Sequence, residues 1–171
     1  MKSNIQNKRG FSLVEIVIYI AIFAMLSLLV INSLMTVMSS FTTTRTNIIL
    51  EEAGINSMER MSREIRGSNS IDLVNSDLVH GILKLNYTDS SGNPAIIQLS
   101  NDGGALDFYR EHLFTGNLLG SNVILESLSF SPINTAHSEA IKINMSIKST
   151  YGHPTKTVNF YDTVVLRGSY K

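Results

Sequence analysis

Two kinds of hydrophobic patterning divide the chain. Residues 16–44 contain no Asp, Glu, Lys or Arg, and residues 16–38 are dominated by Ile, Val, Leu, Ala, Phe and Met. A bilayer core about 30 Å thick takes roughly 20 helical residues to cross, so this run is long enough to span one. Further on, Ile48, Leu50, Ala53, Ile55, Met58, Met61 and Ile65 recur at steps of two to four, with Glu51, Glu52, Glu59, Arg60, Arg63, Glu64 and Arg66 between them. That spacing predicts an amphipathic helix over 45–66, continuous with the apolar run and stopped by a glycine cap at Gly67-Ser68-Asn69.

From Ser70 the period becomes two. Leu83, Leu85 and Tyr87 alternate with Lys84, Asn86 and Thr88, and Ser90-Ser91-Gly92-Asn93 turns the chain into a partner strand over 95–99. Asn101-Asp102-Gly103-Gly104 is a second turn before a strand over 105–110, and 113–122 reads as a loop punctuated by Gly and Asn. A strand over 123–130 ends at Pro132. Ile141, Ile143, Met145 and Ile147 alternate with Lys142, Asn144, Ser146 and Lys148, giving a strand with one buried and one wet face. Tyr151-Gly152-His153-Pro154 turns it into a last strand from Thr157 to about Leu166. The predicted class is α+β: a long N-terminal helix, half transmembrane and half amphipathic, packed on a small antiparallel β-sheet domain. The helix over 58–66 is the part expected to cover the sheet.

The edge of the apolar run carries its own information. Lys2, Lys8 and Arg9 precede it with no acid among the first ten residues, which by the positive-inside bias sets the N-terminus in the cytoplasm and the rest across the membrane. Glu15 then lies inside the apolar edge. A carboxylate in lipid costs about 2.5–3.5 kcal/mol at a helix centre and less near the interface, so Glu15 calls for a cationic partner. The next base along the chain is Arg45, so that partner comes from the basic leader, from another protein or from a newly made N-terminus. A secretory signal peptide has a shorter apolar core and an Ala-x-Ala-like site behind it, and a plain signal anchor accounts for neither Glu15 nor Gly10-Phe11.

The stretch KRGFSLVEIVIYIAIFAMLSLLV resembles the N-terminal signature of type IV prepilins and type II secretion pseudopilins. The resemblance implies a leader over 1–10 cut by prepilin peptidase between Gly10 and Phe11, N-methylation of Phe11, and a role for Glu15 in subunit assembly through the Phe11 amine of a neighbour. It divides the chain into a leader over 1–10, a transmembrane and assembly helix over 11–44, and an extracytoplasmic pilin-like domain over 45–171, with its helix over 45–66 and its β-rich part over 70–171. The implied partners are prepilin peptidase, other pilins or pseudopilins through the N-terminal helix, the inner-membrane assembly platform and membrane lipid. The implied location is the inner membrane, single-pass, and then a filament. The order of helix, Gly-turned hairpin, strand ending Phe108-Tyr109-Arg110 and closing hairpin resembles more loosely the J-type minor pseudopilins and related minor pilins, which implies a place in a tip or initiation complex.

Composition narrows the alternatives. The 14 basic and 14 acidic residues balance, and a chain processed without Lys2, Lys8 and Arg9 carries an acid excess of three, so no direct nucleic-acid contact is expected. With no Cys, an exported domain is held by its core alone. No catalytic motif occurs, and no enzyme activity and no cofactor are expected. His80, His112, His137 and His153 stand singly beside turns, and Asp102 and Asp107 flank a Gly-Gly turn without oxygen-ligand spacing, so no metal is expected. Arg60, Arg63 and Arg66 alternate with Glu59 and Glu64 and read as a solvated, ion-paired face. Two functions remain: a structural subunit of an envelope filament, or a filament-borne module that binds a surface, a substrate or DNA for uptake.

Overall fold

The computed structural model describes residues 12–135, 138–151 and 155–169. The chain forms two compact units, Met1–Phe41 and Thr42–Lys171. One helix, α1, runs Leu13–Gly67 and contributes to both. In the first unit every large apolar side chain from Leu13 to Phe41 is exposed, between 47% for Val37 and 79% for Leu13. A helix apolar on all sides is matched to a core or to lipid, and here its surface is open. Several of its hydroxyls bond within the helix: Ser27 Oγ donates to the Phe23 carbonyl at 2.8 Å, Thr36 Oγ1 to the Asn32 carbonyl at 2.9 Å and Ser40 Oγ to the Thr36 carbonyl at 2.9 Å. This is how polar groups are tolerated where no water is at hand.

The second unit packs the C-terminal part of α1 against two antiparallel sheets. In the first sheet β1 (Ser70–Ile71), β2 (Leu83–Thr88), β3 (Pro94–Asp102), β4 (Ala105–Arg110) and β5 (Leu113–Asn117) follow one another in chain order. The second contains β6 (Val123–Asn134), β7 (Glu139–Ser149) and β8 (Thr157–Val165), again in chain order. The β2–β3 and β3–β4 hairpins fall where the turn residues put them, with Leu85 opposite Ile97 and Leu99 opposite Phe108. The core joins Leu50, Met58, Met61 and Ile65 of α1 to Leu83, Leu99, Phe108, Ile143 and Ile147 of the sheets. The fold is α+β, as the two periodicities require.

Several local expectations are corrected. Residues 113–117 are strand β5 rather than loop; it is an almost wholly exposed edge strand, so no buried alternation marks it. Its two-residue turn uses Glu111 and His112 at φ 54° and 67°, a left-handed turn built without glycine. Strand β6 does not stop at Pro132, which pairs with Ile141. The Phe130 N–H already points away from β7, to the Leu78 carbonyl at 2.9 Å, so the missing N–H of Pro132, two residues on, falls on the same outer edge and costs no ladder bond. Gly67 is the last helical residue and is not left-handed; the end of α1 is closed by Ser68, whose N–H reaches the Ile65 carbonyl at 3.1 Å and whose hydroxyl donates to the Glu64 carbonyl at 2.8 Å. The strands divide into two sheets because the partly buried Leu118 and the buried Leu119 take the chain off the edge of β5 and inward.

The amphipathic face of α1 is the expected one at Leu50, Ala53, Met58, Met61 and Ile65, and differs at two positions and in what else it buries. Ile48 and Ile55 are 56% and 58% exposed, whereas Gly54, Ser57, Ser62 and Glu64 are buried. Small and polar residues sit inside because the sheets supply partners: Ser57 Oγ donates to the Leu118 carbonyl at 3.0 Å and Ser62 Oγ to Asp162 Oδ2 at 2.6 Å.

Candidate anchoring and assembly segment

The helix begins at Ser12, whose carbonyl accepts the Ile16 N–H at 3.2 Å, so Glu15 lies in the first turn. There the free N–H groups of the helix start favour a negative side chain. Glu15 is partly buried, and Tyr19 Oη, one turn on, donates to its Oε1 at 2.9 Å. The acid thus has a neutral partner within the same helix, in addition to whatever cation it meets from outside. Sequence reasoning missed Tyr19, although the spacing of four between Glu15 and Tyr19 is the signal that places them on one face. Lys2, Lys8, Arg9, Gly10 and Phe11 lie outside the described residues. Between Glu15 and Arg45 the helix carries no charge at all, and it alone among the described helices is long and apolar enough to cross a membrane.

Beyond the apolar run, Arg45 stacks over the Tyr151 ring at 5.0 Å, and Lys156 Nζ donates to Asn47 Oδ1 at 2.8 Å. The arginines expected on one solvated face have three different fates. Arg63 pairs with Glu59 at 2.6 Å on the exposed surface, as expected. Glu64 is instead buried between two cations, Arg60 and Arg110, each at 2.9 Å. Arg110 also lies over the Tyr87 and Phe108 rings, at 5.5 and 5.8 Å, which fixes the guanidinium against the sheet. Arg66 lines an open groove between α1 and β8. The partner of Glu64 was not readable, since Arg110 is brought to it from 46 residues away.

The remaining candidates are placed at turns. His80 Nδ1 lies 2.8 Å from Asp77 on an exposed turn, His112 is in the turn between β4 and β5, and His137 and His153 lie outside the described residues. Asp102 ends β3 and Asp107 is buried on β4. No group of three potential metal ligands occurs among the described residues.

A chain with an exposed, charge-free N-terminal helix, one acid in its first turn and a two-sheet domain is of the kind anchored in a membrane by its first helix. The family model described as the prokaryotic N-terminal methylation motif matches residues 5–31, so this segment carries the type IV prepilin and pseudopilin type of signature. The motif implies processing by prepilin peptidase and assembly with other pilins, and it is that of structural rather than enzymatic proteins. The apolar helix fits the single-pass anchor of a pilin. No curated protein and no solved structure matches the chain.

Proposed function

We propose that the chain is a pilin or pseudopilin subunit of a type IV pilus or type II secretion filament, cut between Gly10 and Phe11, methylated on Phe11 and held in the inner membrane by residues 11–44 until it is assembled. Residues 45–171 then form the extracytoplasmic domain. The observation that carries this reading is the matched motif at 5–31 together with a helix whose apolar side chains are exposed all round from Leu13 to Phe41. Glu15 is assigned to assembly: removal of the leader creates a positive amine at Phe11, and an acid in an otherwise charge-free segment gains most from a cation supplied by a neighbour. Lys2, Lys8 and Arg9 hold the N-terminus on the cytoplasmic side. The order of hairpins supports the finer reading of a minor subunit.

The test is intact-mass measurement on chain extracted from a host with an active prepilin peptidase and its methylating activity. Loss of residues 1–10 and gain of one methyl group at the new N-terminus is expected. Full-length chain in such a host, with another pilin cleaved normally, refutes the reading.

A further inference from the structure

Arg45 is the first charged residue after Glu15, and it is exposed near the start of the second unit. Counted along the helix from Ile16, a hydrocarbon core of about 30 Å is crossed by roughly 20 residues, to about position 36, and a headgroup layer of about 6 Å takes roughly four more. Arg45 therefore emerges about 8 Å beyond that layer, close to the reach of its own side chain, which in a helix leans back toward the N-terminus.

The tip of the β7–β8 hairpin is fastened to the helix at that level. The buried Thr46 shares its hydroxyl hydrogen between the carbonyls of Thr42, at 2.9 Å, and Tyr151, at 3.2 Å. The buried Ser149 donates through Oγ to the same Tyr151 carbonyl and accepts the Tyr151 N–H, both at 3.0 Å, while its own N–H reaches the Lys156 carbonyl at 3.0 Å. Tyr151 is thereby held so that the Arg45 guanidinium lies over its ring at 5.0 Å, and Lys156 Nζ donates to Asn47 Oδ1 at 2.8 Å. Arg45 and Asn47 differ by about 3 Å of rise, so both cations stand at one height on the helix.

No acid opposes these cations. Neither Arg45 nor Lys156 makes an ion pair among the described residues. From 140 to 161 the chain carries Lys142, Lys148 and Lys156 but no Asp or Glu, and of the three only Lys148 approaches a carboxylate, that of Glu126 at 3.9 Å. The next acids along the helix, Glu51 and Glu52, lie about 9–10 Å further up its axis than Arg45. A guanidinium and an ammonium donate to phosphate oxygens, and a tyrosine ring settles at the boundary between lipid and water, so the cluster has the chemistry of an anionic headgroup site.

We propose that Arg45, Tyr151 and Lys156 form a seat for phospholipid phosphates in the leaflet from which α1 emerges, with a preference for anionic lipid. Arg45 and Lys156 bind the phosphate oxygens, and the Tyr151 ring, backed by the Arg45 guanidinium, rests among the headgroups. The contact holds the unassembled chain at the membrane surface and is given up when the chain leaves the lipid. The inference rests on the membrane anchoring in the reading above, and it gives the second unit a lipid contact of its own beside the apolar helix.

The chain has no Trp, so Tyr151→Trp places a single reporter in the seat, and Tyr161→Trp places one at an exposed position further along β8, about 17 Å of strand from Lys156. Each full-length chain is reconstituted in vesicles of phosphatidylcholine and phosphatidylglycerol, one lipid or the other carrying a spin label at the top of its acyl chain. The Tyr151→Trp reporter should be quenched and the Tyr161→Trp reporter spared. Labelled phosphatidylglycerol should quench the first more than labelled phosphatidylcholine; Arg45→Gln with Lys156→Gln should lower that excess about fivefold or more, while Arg45→Lys with Lys156→Arg keeps it. Equal quenching of the two reporters, in chain that resists alkaline extraction from the vesicles, overturns the seat and leaves the anchor reading intact. Quenching that is the same for both lipids and indifferent to Arg45→Gln with Lys156→Gln means that the ring meets lipid by position alone, and overturns the phosphate assignment. Loss of the excess on adding inorganic phosphate at constant ionic strength assigns the site to free phosphate and overturns the lipid one. Chain released by alkali overturns both the seat and the anchor.

Discussion

Replacing Gly54 by alanine should weaken the docking of α1 on the second sheet even though alanine is the better helix former. Gly54 is buried, and a Cβ built on it falls closer than 3.0 Å to three carbons of the Phe160 ring. The ring must move, and it has limited room because it is partly buried against the core. Alanine gains about 1 kcal/mol of helix propensity over glycine. Forcing a methyl into a packed contact costs about 1–3 kcal/mol, so the net expectation is a loss of up to about 2 kcal/mol, or a fall in Tm of up to about 8 °C for a domain of this size. The assay is urea unfolding of the segment 42–171, followed by tyrosine fluorescence because the chain has no Trp. The decisive comparison repeats the change in a Phe160→Ala background. With the ring gone, only the propensity term remains, so Gly54→Ala should there stabilise by about 1 kcal/mol. An equal loss in both backgrounds would refute the steric account.

Other consequences are as direct. Glu15→Leu should leave insertion and leader removal intact while impairing assembly, read by cross-linking to partner pilins beside a secretion or piliation assay; unchanged assembly of fully cleaved protein removes the proposed role. Tyr19→Phe deletes the hydroxyl donor to Glu15 and keeps the ring, so cleavage should persist and the carbonyl-region infrared bands of Glu15 should shift; identical spectra would show that the bond at 2.9 Å is not made in the membrane. Glu64→Gln removes the charge between Arg60 and Arg110, whose side chains are 39% and 45% exposed and can turn to water. Its cost should therefore be about 1–2 kcal/mol, short of the roughly 3–5 kcal/mol of a fully buried broken pair, as measured by urea unfolding; no loss at all would mean that the triad is not formed. Asp89 accepts the Asn93 and Ser91 N–H groups, and these hold its carboxyl below the usual aspartate range. A folded value below the unfolded one gives stability that is present above the unfolded pKa and lost as pH falls through the folded one. Carbon-13 NMR titration should find the Asp89 midpoint below that of an ordinary aspartate, and a midpoint at or above it would contradict the turn geometry.

What could be read along the chain was whatever has a short period and a one-sided environment. Strands β2 and β7 alternate buried and less buried residues, and their extents follow from that alternation and from the turn residues that flank them. Strand β5 has little that is buried, so its only signal is pairing with β4, including the Tyr109 and Phe114 rings at 5.5 Å, and pairing leaves no mark on local hydrophobicity. The two-residue β1 is invisible for the same reason. Pro132 misled because proline was weighed without knowing which way its N–H would point; on the outer edge of β6 the cost is absent.

The helix shows why charge patterns are harder to read than apolar ones. Arg60, Arg63 and Arg66 share a spacing with Glu59 and Glu64, and local arithmetic treats all five alike. Their roles diverge through what the sheets bring to them. Arg110, stacked on Phe108 and Tyr87, draws Glu64 inward, while β8 leaves Arg66 facing an open groove. The apolar anchor needs no such context, because a run without charge from Ile16 to Thr44 excludes water-facing alternatives by composition alone. Anchoring is therefore written in the order of residues, whereas the surface that distinguishes one subunit from another arises where distant strands meet the helix. Mutations should follow that division: charged substitutions in residues 16–38 should alter membrane retention, measured by fractionation, while the two-sheet domain keeps its fold.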